Sequence, residues 1–330
     1  MNTRTNERGP RTGSRAGAAR LTLALAGLTA SGLVGCTTVR PVEEVLDVAA
    51  RADAGPTAPG SIGPRAPEAP PGRAELVAYA ERQIDAYDAS CRGCLAAAEA
   101  EDADYDALMT ASRALIFNAD LRIQLDAVQR IDPAAPGDVE GVIFAEDKAS
   151  SELRSEIRSL ARSSRDFAAR ALELREGDGP ARLFRALGDG LYLWSLGPMQ
   201  ALTSSSIRTL PGRVKRLAKD DPTLEGASPL RLEGRFATRA PWPYRDRDAA
   251  IGILERACEA APLPINLVFL GDARWLTGDP VGARAEWERA LGADADELTG
   301  AAAPLFRELA RLRIVAAGPA EPAAPETSAR

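Results

Sequence analysis

The chain has 330 residues, 45% of them hydrophobic and only 5% aromatic, with a formal charge of −6 and no histidine. That apolar content fills a sizeable core, while the shortage of aromatics and of period-two Val/Ile runs argues against a sheet. The missing histidine removes the commonest general base and zinc ligand, and the acidic balance makes nucleic acid or an anionic lipid surface a poor partner.

Arg4, Arg8, Arg11, Arg15 and Arg20 precede an apolar run from Leu21 to Val34. The run is too short and too rich in Gly, Ser and Thr to span a bilayer, and it fits the apolar region of a secretion signal. Its end, Leu33-Val34-Gly35-Cys36, resembles the lipobox of bacterial lipoproteins. That resemblance implies removal of residues 1–35, acylation of Cys36 and a lipid-anchored location on the periplasmic side of the envelope. Thr37 in place of Asp points, by the same resemblance, to the outer membrane. Acyl chains contribute about 0.8 kcal/mol per buried CH₂, so a multiply acylated Cys36 would hold stably. Loss of residues 1–35, with five Arg and one Glu, leaves a mature charge of about −10. Residues 36–72, with prolines at 41, 56, 59, 64, 67, 70 and 71, read as the acylated cysteine and an extended tether.

From residue 73 to 316 the pattern is helix, short break, helix. Ala74 to Tyr87 is followed by Ser90-x3-Cys94-x2-Ala97, then by Tyr105 to Phe117, a turn at Asn118-Ala119-Asp120, and Leu121 to Ile131. Residues 134–143 read as a loop. Helices follow over Ser151–Leu174 and Ala181–Leu196. Met199–Leu210 and Arg213–Lys219 are expected to be split at Pro211-Gly212, and Leu230–Arg239 and Ala249–Ala260 come next. Asp132-Pro133, Asp221-Pro222 and Ala261-Pro262 stop helices, because proline disfavours the helical conformation in the residue before it. A last helix, Ala302–Val315, turns Leu305, Leu309 and Leu312 inward as a cap. Residues 317–330 read as a disordered Pro/Ala tail.

Between Leu270 and Asp294 the spacing becomes specific: Leu270-Gly271, Trp275, Gly278, then Ala283-x3-Trp287-x2-Ala290. This resembles the tetratricopeptide (TPR) pattern, in which small residues let two helices approach and one large residue fills the gap between hairpins. Ala250-x3-Leu254-x2-Ala257 repeats it 33 residues earlier. The expected fold is therefore all-α, a right-handed stack of about six TPR-like hairpins with a C-terminal capping helix. The order of segments LYLWSLG, KRLAKDDP, SPLRLEGRFATRAPWP and AAIGILERACEAAP, between Leu191 and Arg313, resembles the T component of TRAP transporters. The resemblance implies a TPR-like periplasmic lipoprotein that associates with a solute-binding protein and forms oligomers.

The sequence carries no constellation for catalysis, cofactor or metal. Asp and Glu are plentiful, but none is fixed opposite a nucleophile, and no Gly-rich strand-to-helix turn cradles phosphate. Cys91-x2-Cys94 lies within helical pattern, where packing residues or a structural disulfide are the readings. Cys258 follows Ala257 on a helix and reads as core. Arg231, Arg235 and Arg239 are spaced to one side of a helix whose Gly234 corresponds to Gly271, which places them on the concave side of a stack. They either grip a carboxylate or pair with acids of the chain, and Trp242 and Tyr244 beyond them either anchor a partner or fold back. The expected function is a non-enzymatic scaffold for a protein or peptide. The alternative is a transporter accessory that handles a small organic anion with a solute-binding protein.

Overall fold

The computed structural model describes residues 72–296 and 300–319. The secretion signal, Cys36, the tether up to residue 71 and residues 320–330 of the tail lie outside the described residues. Within them the fold is all-helical: α1 (Arg73–Glu99), α2 (Tyr105–Arg130), α3 (Val139–Ile143), a 3₁₀ turn (Ala145–Lys148), α4 (Ser151–Leu174), α5 (Gly179–Leu196), α6 (Pro198–Thr203), α7 (Ser205–Asp220), α8 (Leu224–Arg239), α9 (Arg247–Ala260), α10 (Pro264–Leu276), α11 (Pro280–Gly292) and α12 (Ala303–Ala316). None of these helices is long and apolar enough to cross a membrane. Asp104, Ser150, Asp178, Asp246 and Asp279 each cap a helix by accepting a hydrogen bond from the backbone N–H three residues on. Each such cap is worth about 0.5–2 kcal/mol.

The most extensive pairings are α1 with α2, α4 with α5, α8 with α9, and α10 with α11. These four hairpins stand where about six were expected, with α7 packed between α5 and α8. The small-against-large contacts are where the repeat spacing put them. A Cβ on Gly271 would lie 2.5 Å from Trp287 Cδ1 and 3.0 Å from the Ala283 carbonyl, and one on Gly234 would lie 2.5 Å from Leu254 Cγ. Ala283, Trp287 and Ala290, like Ala250, Leu254 and Ala257, are fully buried. Gly278, at φ +90°, closes α10, and Pro280 opens α11 in its first turn.

Four local expectations fail for identifiable reasons. First, α1 runs unbroken through residue 90, leaving Ser90 and Ala97 exposed and Cys91, not Cys94, buried. The Ser90-x3-Cys94-x2-Ala97 spacing therefore marks no second helix. Both thiols are free, and burial pushes the Cys91 thiol up, which suits packing rather than thiolate chemistry. Second, α2 does not turn at Asn118–Asp120. The Asn118 amide donates to Asp88 Oδ1 at 2.7 Å and accepts from Arg122 Nε at 2.8 Å, so its side chain no longer competes with the helical backbone. Third, the α6–α7 break falls at Ser204, which caps α7, and Pro211 rides inside α7. Fourth, the expected loop 134–143 holds a short helix over its second half, Val139–Ile143. Val139, Val142 and Ile143 are buried with this helix packed on α12, and the 3₁₀ turn that follows packs on α2.

The last helix does more than cover an end. α12 packs on α10 and α11 and also on α1, α2 and α3, so one apolar cluster joins Leu76 and Leu125 to Leu254, Phe269, Leu305 and Leu309. The path of helices thus closes on itself. α10 is enclosed by α8, α9, α11 and α12, and all its residues from Pro264 to Ala273 are buried. That matches its nearly uninterrupted apolar sequence. The exceptions are Asn266 and Asp272, both fully buried.

Candidate functional site

Closure leaves two adjoining chambers among α2, α5, α8 and α10, with empty volumes of about 910 and 1140 Å³, part of it open to solvent. Asp120, Leu187, Leu191, Leu232, Arg235 and Phe269 line both. The arginine stripe does face this interior. Arg231 and Arg235 line the smaller chamber, and Arg235 and Arg239 line the larger. The four-residue spacing puts all three on one side of α8, and the close α8–α9 contact at Gly234 fixes that side.

The stripe pairs with acids of the chain, but which acids was not foreseen. Glu146 of the 3₁₀ turn pairs with Arg235 and lies 3.1 Å from Arg239 Nη2, and Asp147 lies 2.8 Å from the same nitrogen. Asp272 of α10 lies 3.5 Å from Arg235 Nη1 and accepts from Nε and Nη2 of Arg313 on α12 at 2.6 and 2.9 Å. Trp287 Nε1 also donates to Asp272, at 3.3 Å. The guanidinium of Arg235 stacks 4.1 Å from the Phe269 ring centre and that of Arg239 4.3 Å from Phe144. Three guanidiniums and three carboxylates thus form one partly desolvated chain. Burial alone would raise the Glu146 carboxyl, but Arg235 and Arg239 outweigh it and hold the carboxyl below its usual range. Burial lowers Arg239, with Arg235 acting in the same direction.

Arg231 plays a different part. Its Nη1 donates to the Gly226 carbonyl and to Asn266 Oδ1, both at 3.0 Å, and its Nη2 donates to Ser228 Oγ. Burial brings it down to about 10, so it stays charged at neutral pH. The two aromatics separate. Tyr244 folds back on the cluster holding Leu193, Ile207 and Leu210, while Trp242 is 79% exposed and lies outside both chambers.

Asp120, read from sequence as part of a turn, is half-buried where the chambers meet. Burial pushes it up to about 6, while the hydrogen bond from Gln124 lowers it, Glu146 raises it, and Arg231 and Arg235 lower it. A folded-state value above the unfolded one means that the folded chain holds the proton more tightly. Ionising Asp120 therefore costs stability, increasingly as pH rises from about 4 to about 6. The full shift corresponds to about 3 kcal/mol, and exposure to the chamber reduces this to about 1–2 kcal/mol. Asp120→Asn should thus be more stable than wild type above about pH 7, with the gap closing below about pH 4. Urea unfolding at both ends checks it, and a gap of the same size at both would contradict it.

Two signals pointed at the missed acids. Asp138 followed by Val139-x2-Val142-Ile143 is a cap before helically spaced apolar residues, which places an ordered, buried element directly before Glu146 and Asp147. Asp272 is a lone acid in an apolar run, and such a residue is buried only if paired. No protein-family model matches the chain, and a comparison with curated proteins found no match.

Proposed function

We propose that this chain is a non-catalytic binding protein of TPR-like hairpin architecture, anchored through Cys36 on the periplasmic side of a bacterial envelope, that holds a small amphipathic molecule in its interior. One observation carries this reading. The interior has apolar walls, Leu187, Leu191, Leu232 and Phe269, with charged groups from α2 and α8 set against them. Such a space suits a ligand with an apolar body and a polar end. A partly enclosed chamber suits a small molecule better than a protein segment, which favours the accessory role implied by the T component of TRAP transporters. In that role the partner is a periplasmic solute-binding protein, and a homo-oligomer is compatible with it.

A protein-binding scaffold is the second reading, favoured by Met199 and Trp242, each 79% exposed beside Pro198 and Pro241 of the larger chamber. Leu232 lines both chambers, so Leu232→Trp should fill shared space. Mass spectrometry of small molecules extracted from the full-length protein should find a bound species in wild type and lose it in Leu232→Trp. Equal retention in both would sink the interior-site reading. For the anchor, Cys36→Ala should abolish palmitate labelling, and a labelled variant would end that part of the proposal.

A further inference from the structure

The smaller chamber differs from the larger in which hydrogen-bonding groups it leaves unused. Its guanidiniums are mostly engaged. Arg231 spends its two Nη atoms on Gly226, Asn266 and Ser228, while Arg235 is paired with Glu146, lies against Phe269 and turns its buried, unbonded Nη1 to Asp272 at 3.5 Å. Its carboxylates have oxygens to spare. Asp120 receives one hydrogen bond, from Gln124 at 3.2 Å, and among the described residues no arginine is in ion-pair contact with it. Glu225 pairs with Arg113 through Oε1, while its buried Oε2 has no hydrogen-bond partner among the described residues.

Glu225 is also held in place at a cost. Glu225, Gly226 and Ala227 take φ values of 50°, 62° and 60° in succession, a left-handed turn that Gly226 adopts freely and the two residues with a Cβ do not. The turn is fastened by Ser228 Oγ donating to the Glu225 carbonyl at 2.6 Å and by Arg231 and Asn266 Nδ2 donating to the Gly226 carbonyl, the latter at 3.2 Å. Strain over-determined by its surroundings clusters at ligand sites. Here it sets a carboxylate with a spare acceptor in the wall of the chamber that Asp120 also lines. Tyr87, Phe117 and Leu191 supply aromatic and apolar surface around them.

We propose that this chamber takes an organic ammonium ion, its N–H groups bonded to Asp120 and Glu225 and its hydrocarbon body laid against Tyr87, Phe117 and Leu191. An ammonium supplies only donors, which is what two spare carboxylate oxygens require, and it gains further from aromatic faces. The inference rests on the interior being a small-molecule site and fixes the sign of the ligand. That sign is positive, the reverse of the organic anion suggested by the arginine stripe. The cation prefers ionised Asp120, so binding weakens as pH falls through about 6. Glu146 from the 3₁₀ turn and Arg231 and Arg235 from α8 act on the same carboxyl, as does Gln124 on its own helix.

Titration calorimetry of the full-length protein with hexylammonium and with hexanoate, at about pH 7.5 and about pH 5, tests the proposal. Hexylammonium should bind at the higher pH at least about tenfold more tightly than hexanoate, and more weakly at the lower pH. Asp120→Asn and Glu225→Gln should each weaken it by about tenfold or more, the scale of a lost charge-assisted bond. If one variant fails to fold, the other still decides. Equal binding of the two probes, or tighter hexanoate, overturns the ammonium assignment and leaves the interior site standing. Binding of neither probe overturns both.

Discussion

Trp287→Ala is expected to destabilise the folded chain by about 3–5 kcal/mol, the scale for truncating a fully buried aromatic. Trp287 is 0% exposed, stands 5.8 Å from Trp275 between ring centres, and fills the space that Gly271 leaves open. Its indole N–H also ends on buried Asp272, so truncation removes both packing and a donor. The same contact predicts the reverse experiment. Gly271→Ala pushes a methyl into the indole and should cost about 1–3 kcal/mol by overpacking. Because Trp287→Ala removes the clashing atoms, the double variant should be less damaged than the two single losses added together. Urea unfolding of all four proteins measures the coupling. Simple additivity would mean that this pair does not set the approach of α10 and α11.

Arg313→Met should cost a similar amount, about 3–5 kcal/mol, for an electrostatic reason. Arg313 reaches from α12 to Asp272 with Nε and Nη2, and the side chains are 4% and 0% exposed. Removing the guanidinium strands a carboxylate that water cannot reach, with only Trp287 and the more distant Arg235 to answer it. Asp272→Leu in the same chain should recover part of the loss, since replacing both members of a buried pair is far milder than breaking it. Full recovery is not expected, because Trp287 and Arg235 then lose an acceptor. Thermal or urea unfolding of the single and double variants checks this. A single variant as stable as wild type would show that α12 is held by its leucines alone.

These two networks mark how far the residue pattern could be read. Gly271, Ala283, Trp287 and Ala290 were legible because packing two helices closely demands small residues at fixed spacing, and no other part of the chain can meet that demand for them. The arginine stripe was legible for a similar local reason, since a spacing of four fixes a helix face. What met the stripe was not. Glu146, Asp147 and Asp272 come from a turn and a helix remote in sequence, and closure of α12 onto α1–α3 brings distant elements into one core. Local spacing carries no information about that. Asn118 and Asp120 misled in the opposite direction, because residues that favour turns in isolation were stabilised inside α2 by Asp88, Arg122 and Gln124. The unbroken α1 and the proline inside α7 are further cases in which tertiary packing overrode a local signal.

The central claim is that closure of the helix path leaves a preformed interior chamber for a small molecule. A crystal structure of the full-length protein purified from its native source tests it most directly. The account predicts an open chamber between Asp120, Leu191, Leu232 and Phe269, holding density for a compact ligand near Asp120 and Glu225. A collapsed interior, with Leu187 and Leu232 packed onto Phe269 and no space between α2 and α8, would contradict it.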